Sequence, residues 1–114
     1  MKKGDIVIVP GGPDYGKVRP AVVVQTDAVT KVWNSVIVCP LSSHLTAVDT
    51  FARIPLEPTQ ENGLRKPSQI MVDKITTYPL DRVRGPIGRI DEKSVDALNV
   101  SLVLILGLWS ARPN

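Results

Sequence analysis

The sequence predicts a mainly β protein with one C-terminal helix, an α+β class built as a small barrel or a strongly curved sheet. Short β-branched runs separated by Gly- and Pro-rich turns fill most of the chain, and a helical period appears only near its end. The crossover helices that a parallel sheet requires are missing. We expect residues 1–114 to form one domain, with strands at about 4–90 and the helix at about 92–107.

Six runs of residues predict strands, and prolines or glycines separate most of them. Residues 50–56 alternate in polarity, as a half-buried strand does. The predicted strands are 6–9, 21–24, 35–39, 50–56, 68–72 and a short strand at 87–90. Residues 11–19, between the first two strands, hold three Gly and one Pro and are expected to form a solvent-facing loop.

The helix is predicted to run from Glu92 to Leu106. Asp91 is a suitable N-cap, Glu92 suits the positive end of the helix dipole, and apolar residues then recur at helical spacing. Arg112 and Pro113 are expected to end it. Residues 100–108 are nearly all apolar, and one face of a helix packed on a small barrel cannot bury them all. The surplus apolar surface indicates a partner chain, most simply a second copy.

Composition favours a cytoplasmic protein that has no membrane span. The longest apolar run, residues 102–109, is far shorter than the roughly 20 residues of a spanning helix, and no export signal is evident. The single cysteine, Cys39, lies in an apolar run and is expected to pack in the core rather than to react. A net charge of +3, from 14 Lys and Arg against 11 Asp and Glu, gives a mild preference for polyanions.

Familiar cofactor motifs are missing from the sequence. It contains no phosphate-binding GxxxxGK[ST], no GxGxxG, no CxxC and no HExxH. Binding of nucleoside triphosphates, dinucleotides or zinc therefore has no motif to support it, and no cofactor or metal is expected. Arg19 lies between the Gly-rich loop and Pro20, where its guanidinium can fork onto a phosphate; the alternative is a solvated loop arginine.

A second candidate cluster follows the third strand. The hydroxyls of Ser42 and Ser43 suit a phosphate or sugar and the imidazole of His44 can move a proton, although such a sequence also makes an ordinary turn. Tyr15 and Trp33 either stack on a base or cover a barrel end. The remaining cations considered for a phosphate track, or for a solvated face, are Lys17, Arg53, Arg65, Lys66, Arg82 and Arg84.

Several segments resemble the MazF/PemK family of toxin endoribonucleases, in the order that the family has them. KGDIVIV (3–9), a Gly-rich loop through DYGK (14–17) and RPAVVVQ (19–25) resemble its opening. VCPLSS (38–43) is similar to its third strand, SQIMVDKI (68–75) to a later core strand, and residues 91–107 to its C-terminal helix. The resemblance covers nearly the whole chain.

The resemblance implies an SH3-like barrel of the type shared with the CcdB toxins, and a homodimer. It implies metal-independent cleavage of single-stranded RNA at short sequences, with the ribose 2′-hydroxyl as nucleophile, which would inhibit translation and growth. The partner it implies is a cognate antitoxin whose flexible, often acidic tail blocks the RNA groove. Two alternatives remain: a CcdB-like, non-enzymatic poison of DNA gyrase, and a weakened RNA-binding relic.

The resemblance also implies residue roles. Arg19 matches the arginine of the family's Arg-Pro motif, which stabilises the transition-state charge, and Ser42 falls where many members have a catalytic Thr, followed by Ser43. Thr76 and Pro79 stand where some members have an Arg and an Asp, so that acid–base pair is absent. His44 and Asp14 are the candidates for the general base. Tyr15 and Lys17 are expected to bind RNA.

Overall fold

The computed structural model describes residues 1–11, 17–46 and 51–109. Within them, seven strands precede one long helix. The strands are β1 (Asp5–Pro10), β2 (Val18–Val23), β3 (Ser35–Ser42), β4 (Arg53–Leu56), β5 (Ser68–Met71), β6 (Thr76–Pro79) and β7 (Arg84–Arg89). The α-helices are α1 (Asp27–Thr30) and α2 (Glu92–Leu106), and two 3-10 turns lie at Val72–Lys74 and Leu80–Arg82.

The strands form an antiparallel sheet in the order β4-β5-β3-β2-β1-β7. β3 is the longest strand and has three partners: β2 beside Val38 to Pro40, β6 beside its first four residues, and β5 beside Leu41 and Ser42. β3 therefore joins the β4–β5 part of the sheet to the part that contains β6, β2, β1 and β7. The predicted class, mainly antiparallel β with a C-terminal helix, is confirmed.

The central strands are buried on both faces, which explains why their apolar runs do not alternate with polar residues. One face of the sheet packs Ile6, Val22 and Cys39 with other apolar side chains against Leu98 of α2. The other face packs Val7, Ala21, Val38 and their neighbours in a second cluster. Cys39 is fully buried, as predicted, and burial together with the nearby Asp73 carboxylate raises its thiol pKa to about 12.

Helix α2 has the predicted bounds. The Asp91 carboxylate accepts a 2.8 Å hydrogen bond from the Ser94 N–H, so Asp91 is the N-cap. Gly107 ends the helix in a left-handed conformation (φ 66°), a geometry that glycine adopts without a Cβ clash. The expectation that Arg112 and Pro113 end the helix is therefore wrong, and those two residues lie outside the described part of the chain.

Some strand bounds differ from the prediction. β2 starts earlier than expected, β3 continues through Ser42, and β7 begins at Arg84 because it pairs with β1 from there. Residue 50 lies outside the described ranges, whereas Ala52, Ile54 and Leu56 are buried and Phe51 is exposed, as the predicted alternation requires. β6 and α1 were not predicted.

The C-terminal part of α2 and the residues after it carry an exposed apolar surface. Val100 is 60% exposed, Leu106 48%, Leu108 67% and Trp109 53%. The predicted apolar surplus is thus present in the structure, and the second copy expected to cover it stays a prediction. No helix within the described residues has both the length and the apolar character needed to cross a bilayer.

Candidate active site

A groove of about 880 Å³ brings together most of the predicted site residues. Its walls come from β1, β2, the end of β3 and the segment that leads into β5. The side chains in it that bear on chemistry are Arg19, Ser42, Ser43, His44, Arg65 and Lys66. None of the described residues that line the groove is an Asp or a Glu, so the groove favours an anionic ligand.

Arg19 is held by the sheet while its side chain stays uncommitted. It lies in β2, where its backbone pairs with Val9 of β1, and the next residue, Pro20, pairs with Ile8. The Arg19 side chain is exposed and forms no hydrogen bond or ion pair with another residue of the described ranges. A fixed backbone with a free guanidinium is the arrangement that charge-assisted, bidentate recognition of a phosphate requires.

Ser42 and His44 form a tight turn at the end of β3. The His44 N–H donates a 3.0 Å hydrogen bond to the Ser42 hydroxyl oxygen, and that hydroxyl donates to the His44 carbonyl oxygen at 3.3 Å. The turn interpretation of this cluster therefore holds, and the turn lies inside the groove. Because a hydroxyl oxygen has two lone pairs, one remains to accept a further hydrogen bond.

Gln69 of β5 fixes the far side of this turn, and the sequence analysis did not single it out. Its side-chain oxygen accepts a hydrogen bond from the Thr46 N–H, and its amide nitrogen donates to the Thr46 carbonyl oxygen, both at 3.2 Å. These two hydrogen bonds resemble the pair that two neighbouring strands form between their backbones. Residues 42–46 are therefore held at both ends.

Arg65 and Lys66 reach the groove because the preceding loop is attached to β7. The buried Asn62 side chain accepts from the N–H groups of Thr59 (2.9 Å) and Leu64 (3.0 Å) and so shapes the loop. Gly88 of β7 lies so close that a Cβ there would meet the Asn62 carbonyl carbon at 2.4 Å. The sequence signals a turn here through Asn62-Gly63, but the docking on β7 is a tertiary contact.

The other predicted residues lie elsewhere. Lys17 lines a smaller depression of about 320 Å³ next to the groove. Thr76 and Pro79 lie in β6, where they pair with the opposite end of β3 from Ser42. Arg53 is ion-paired with Asp73, and Trp33 is 61% exposed. Asp14 and Tyr15 lie outside the described residues.

Two further features of the described residues bear on ligand binding. In the described ranges, no three His, Cys, Asp or Glu side chains are grouped so that they could hold a metal ion. A cleft of about 640 Å³ at the start of α2 is lined by Glu57, Glu61, Glu92 and Arg89 among others, and it contains none of the predicted site residues.

Known proteins are similar to this chain over nearly its whole length. Residues 2–106 match the family described as a PemK-like, MazF-like toxin of type II toxin–antitoxin systems. A protein of Mycolicibacterium smegmatis called a probable endoribonuclease MazF is 33% identical over 109 residues, which cover 95% of this chain and 98% of that protein.

Solved structures are similar in fold. A mycobacterial endoribonuclease in complex with its cognate antitoxin superposes with a TM-score of 0.78 at 21% identity, covering 96% of this chain and 99% of that one. The Mycobacterium tuberculosis toxin MazF-mt6 gives 0.76 at 21% identity, covering 90% and 96%. The resemblance found in the sequence is confirmed, and the chain belongs to the PemK/MazF family of type II toxin–antitoxin toxins.

Proposed function

We propose that this protein is a toxin endoribonuclease that cuts single-stranded RNA in the Arg19 groove and thereby blocks translation and growth. The observation that carries the proposal is the groove itself: an uncommitted Arg19 beside the Ser42–His44 turn, with two more cations and no lining carboxylate among the described residues. The curated relatives of the family are named endoribonucleases, which agrees with this activity.

The chemistry needs no group beyond the RNA and the side chains of the chain. A base removes the proton of a ribose 2′-hydroxyl, the 2′-oxygen attacks the adjacent phosphorus, and the bond from phosphorus to the 5′-oxygen breaks as that oxygen takes up a proton. The products are a 2′,3′-cyclic phosphate and a 5′-hydroxyl end. Negative charge builds up on the phosphorane oxygens, where the Arg19 guanidinium stabilises it.

The remaining groove residues bind and position the RNA. Ser42 and Ser43 offer hydroxyls to the phosphate or ribose, and Arg65 and Lys66 neutralise neighbouring phosphates. Two residues are candidates for the general base: His44, which the Ser42 turn holds in the groove, and Asp14. Tyr15 and Lys17 also contact the RNA.

The proposed partners follow from two surfaces. The exposed apolar surface of α2 suits a second copy of the chain, giving a homodimer. The cationic groove suits an acidic segment of a cognate antitoxin, which would block it against RNA; a solved structure similar in fold is an endoribonuclease with its cognate antitoxin. The proposed compartment is the cytoplasm, where RNA is available.

The test is incubation of the purified protein with a long mixed-sequence RNA in EDTA, followed by mapping of the cleaved ends. Discrete cuts at a shared short sequence, with cyclic phosphate ends, are expected, and Arg19→Ala purified in the same way is expected to leave the RNA intact. RNA that stays intact with the parent protein would contradict the proposal. Inhibition of DNA gyrase would then favour the non-enzymatic poison, and RNA binding without cleavage the relic.

A further inference from the structure

We propose that a second basic surface, which we call the Arg84 depression, binds backbone phosphates of the RNA beyond the cut bond. It is formed by Lys17, Arg82, Arg84 and Asp81 over a floor that includes Val9 and Pro10, and its volume is about 320 Å³. The inference rests on the proposed function and extends its substrate path away from Arg19.

The Arg84 depression and the groove are neighbours on one continuous surface. Ile8 and Val18 line both of them. Ile8 pairs with Pro20 on one side and with Arg84 on the other, so Arg84 lies two strands away from Pro20. At a strand spacing of about 4.8 Å, the backbones of Arg84 and Pro20 are roughly 10 Å apart. An RNA strand held at Arg19 therefore passes the depression within a few nucleotides.

The two arginines of the depression are available to a ligand. Three cations and one carboxylate, Asp81, line the depression, and neither the Arg82 nor the Arg84 side chain makes a hydrogen bond or ion pair inside the described part of the chain. Arg89, in contrast, is bonded to Asp5. A guanidinium is weakly hydrated, and its planar, forked N–H groups match the oxygens of a phosphodiester. An unpaired guanidinium therefore interacts more favourably with a phosphodiester than with water.

The chemistry of the lining identifies backbone phosphate as the ligand rather than bases. No aromatic side chain lies among the described residues that line the depression, so it offers no surface on which a base can stack. Contacts from Arg and Lys to phosphates position the strand and carry little sequence information. The Arg84 depression therefore contributes affinity, and the groove is left to determine which bond is cut.

The test compares Arg82→Ala/Arg84→Ala with a charge-matched control, Lys31→Ala/Lys93→Ala, which removes two exposed cations from outside both the groove and the depression. Binding of an uncleavable 2′-O-methyl RNA 12-mer is measured by fluorescence anisotropy over a range of salt concentrations. Loss of two phosphate contacts is expected to lower the slope of log Kd against log salt concentration by about 1.4. The control variant is expected to leave that slope unchanged. For cleavage, a KM about tenfold higher with kcat within about twofold of the parent is expected.

The outcomes separate this inference from the proposed function. If the parent cuts RNA but the double variant matches the control in salt slope and KM, the Arg84 depression is not an RNA site. If the parent neither binds nor cuts RNA, both proposals fall. Poly-glutamate serves as a second probe: a variant that loses affinity for it but keeps RNA affinity would assign the depression to an acidic protein segment instead. Arg82→Gln/Arg84→Gln repeats the test should the alanine variant unfold more easily in urea.

Discussion

The arginines within the described residues fall into two groups that differ in what their charge is used for. Arg53 and Arg89 are ion-paired, with Asp73 and Asp5, and both pairs connect segments that are distant in sequence. The second group, which we call the uncommitted arginines, makes no such contact within the described residues. Its members are Arg19, Arg65, Arg82 and Arg84.

The difference shows how a chain with a small net charge can still present a strongly basic surface. The carboxylates that neutralise arginines do so in ion pairs that stabilise the fold. None of the described residues that line the groove carries a carboxylate. Local charge rather than net charge therefore determines where a polyanion binds. If the division is correct, substitutions in one group change activity and leave stability intact, and substitutions in the other group do the reverse.

The largest effect is expected for Arg19→Ala. Removing a fixed cation from the developing phosphorane charge is expected to lower the cleavage rate on the order of 10²- to 10³-fold. The urea unfolding midpoint is expected to stay unchanged, because no described residue depends on the side chain. Arg19→Lys keeps the charge but loses the fork, and is expected to recover only part of the rate.

Cleavage kinetics and urea unfolding are measured for both variants, with Lys93→Ala as the control for loss of one exposed cation. An Arg19→Ala protein that cuts RNA as fast as the parent would remove Arg19 from the mechanism. If the Arg19→Ala protein loses activity only to the extent that it loses unfolding free energy, Arg19 belongs with the structural arginines instead.

The next effect is expected for Gly88→Ala, which acts on the uncommitted arginines through the backbone. The added Cβ has no room beside the backbone of Glu61 and Asn62, so the loop that carries Arg65 must move away from β7. Overpacking of this kind costs about 1 to 3 kcal/mol of unfolding free energy, and displacement of groove cations by about 1 Å is expected to slow cleavage by up to about 100-fold. Urea unfolding and cleavage rates measure the two effects; unchanged values for both would show that the loop does not depend on this contact.

The third effect is expected for Arg89→Met, which tests the structural group. The guanidinium donates a 2.9 Å hydrogen bond to Asp5, whose side chain is 10% exposed, so its removal leaves a largely buried carboxylate with less compensation. We expect a loss of about 2 kcal/mol in unfolding free energy and an unchanged kcat. The double variant Asp5→Asn/Arg89→Met is expected to be more stable than Arg89→Met alone; equal stability would mean that the Asp5 charge left without Arg89 carries no penalty.

Most of the fold was predictable from the sequence because its main elements have strong local signals. The β-branched runs of β1 to β3 are buried on both faces, and α2 carries its own N-cap at Asp91 and its own terminator at Gly107. β6 and α1 lack such signals: β6 has no buried residue, and α1 is four residues long with none. Their existence depends on pairing and packing with the rest of the chain.

The site was predictable in part. Arg19 and the Ser42–His44 cluster meet because β2 and β3 are antiparallel neighbours. The family resemblance implied that Arg19 and Ser42 both serve the reaction, but the strand pairing was not predicted. Lys17 is two residues from Arg19, yet it lines the Arg84 depression and not the groove. The placement of Arg65 and the hydrogen bonds of Gln69 depend on contacts between distant segments, which no local pattern encodes.

The smallest effect is expected for the pair of Arg53 and Asp73, and it is visible in the pH dependence of stability. The hydrogen bond from Arg53 lowers the pKa of the Asp73 carboxyl from its ordinary 3.8. A carboxyl with a lowered pKa in the folded state stabilises the protein fully above its unfolded pKa, and the stabilisation disappears as the pH falls through the folded value. Because the Asp73 side chain is 40% exposed, the contribution is expected to be below about 1 kcal/mol.

Urea unfolding of the parent and of Asp73→Asn, from neutral pH down to about pH 2.5, measures this contribution. The difference between the two proteins is expected to be constant above about pH 5 and to shrink below the ordinary carboxyl pKa, while cleavage at neutral pH stays unchanged. A difference that is independent of pH would mean that Asp73 acts through packing alone. A loss of cleavage would break the division between the two groups, because an arginine assigned to the fold would then also serve the reaction.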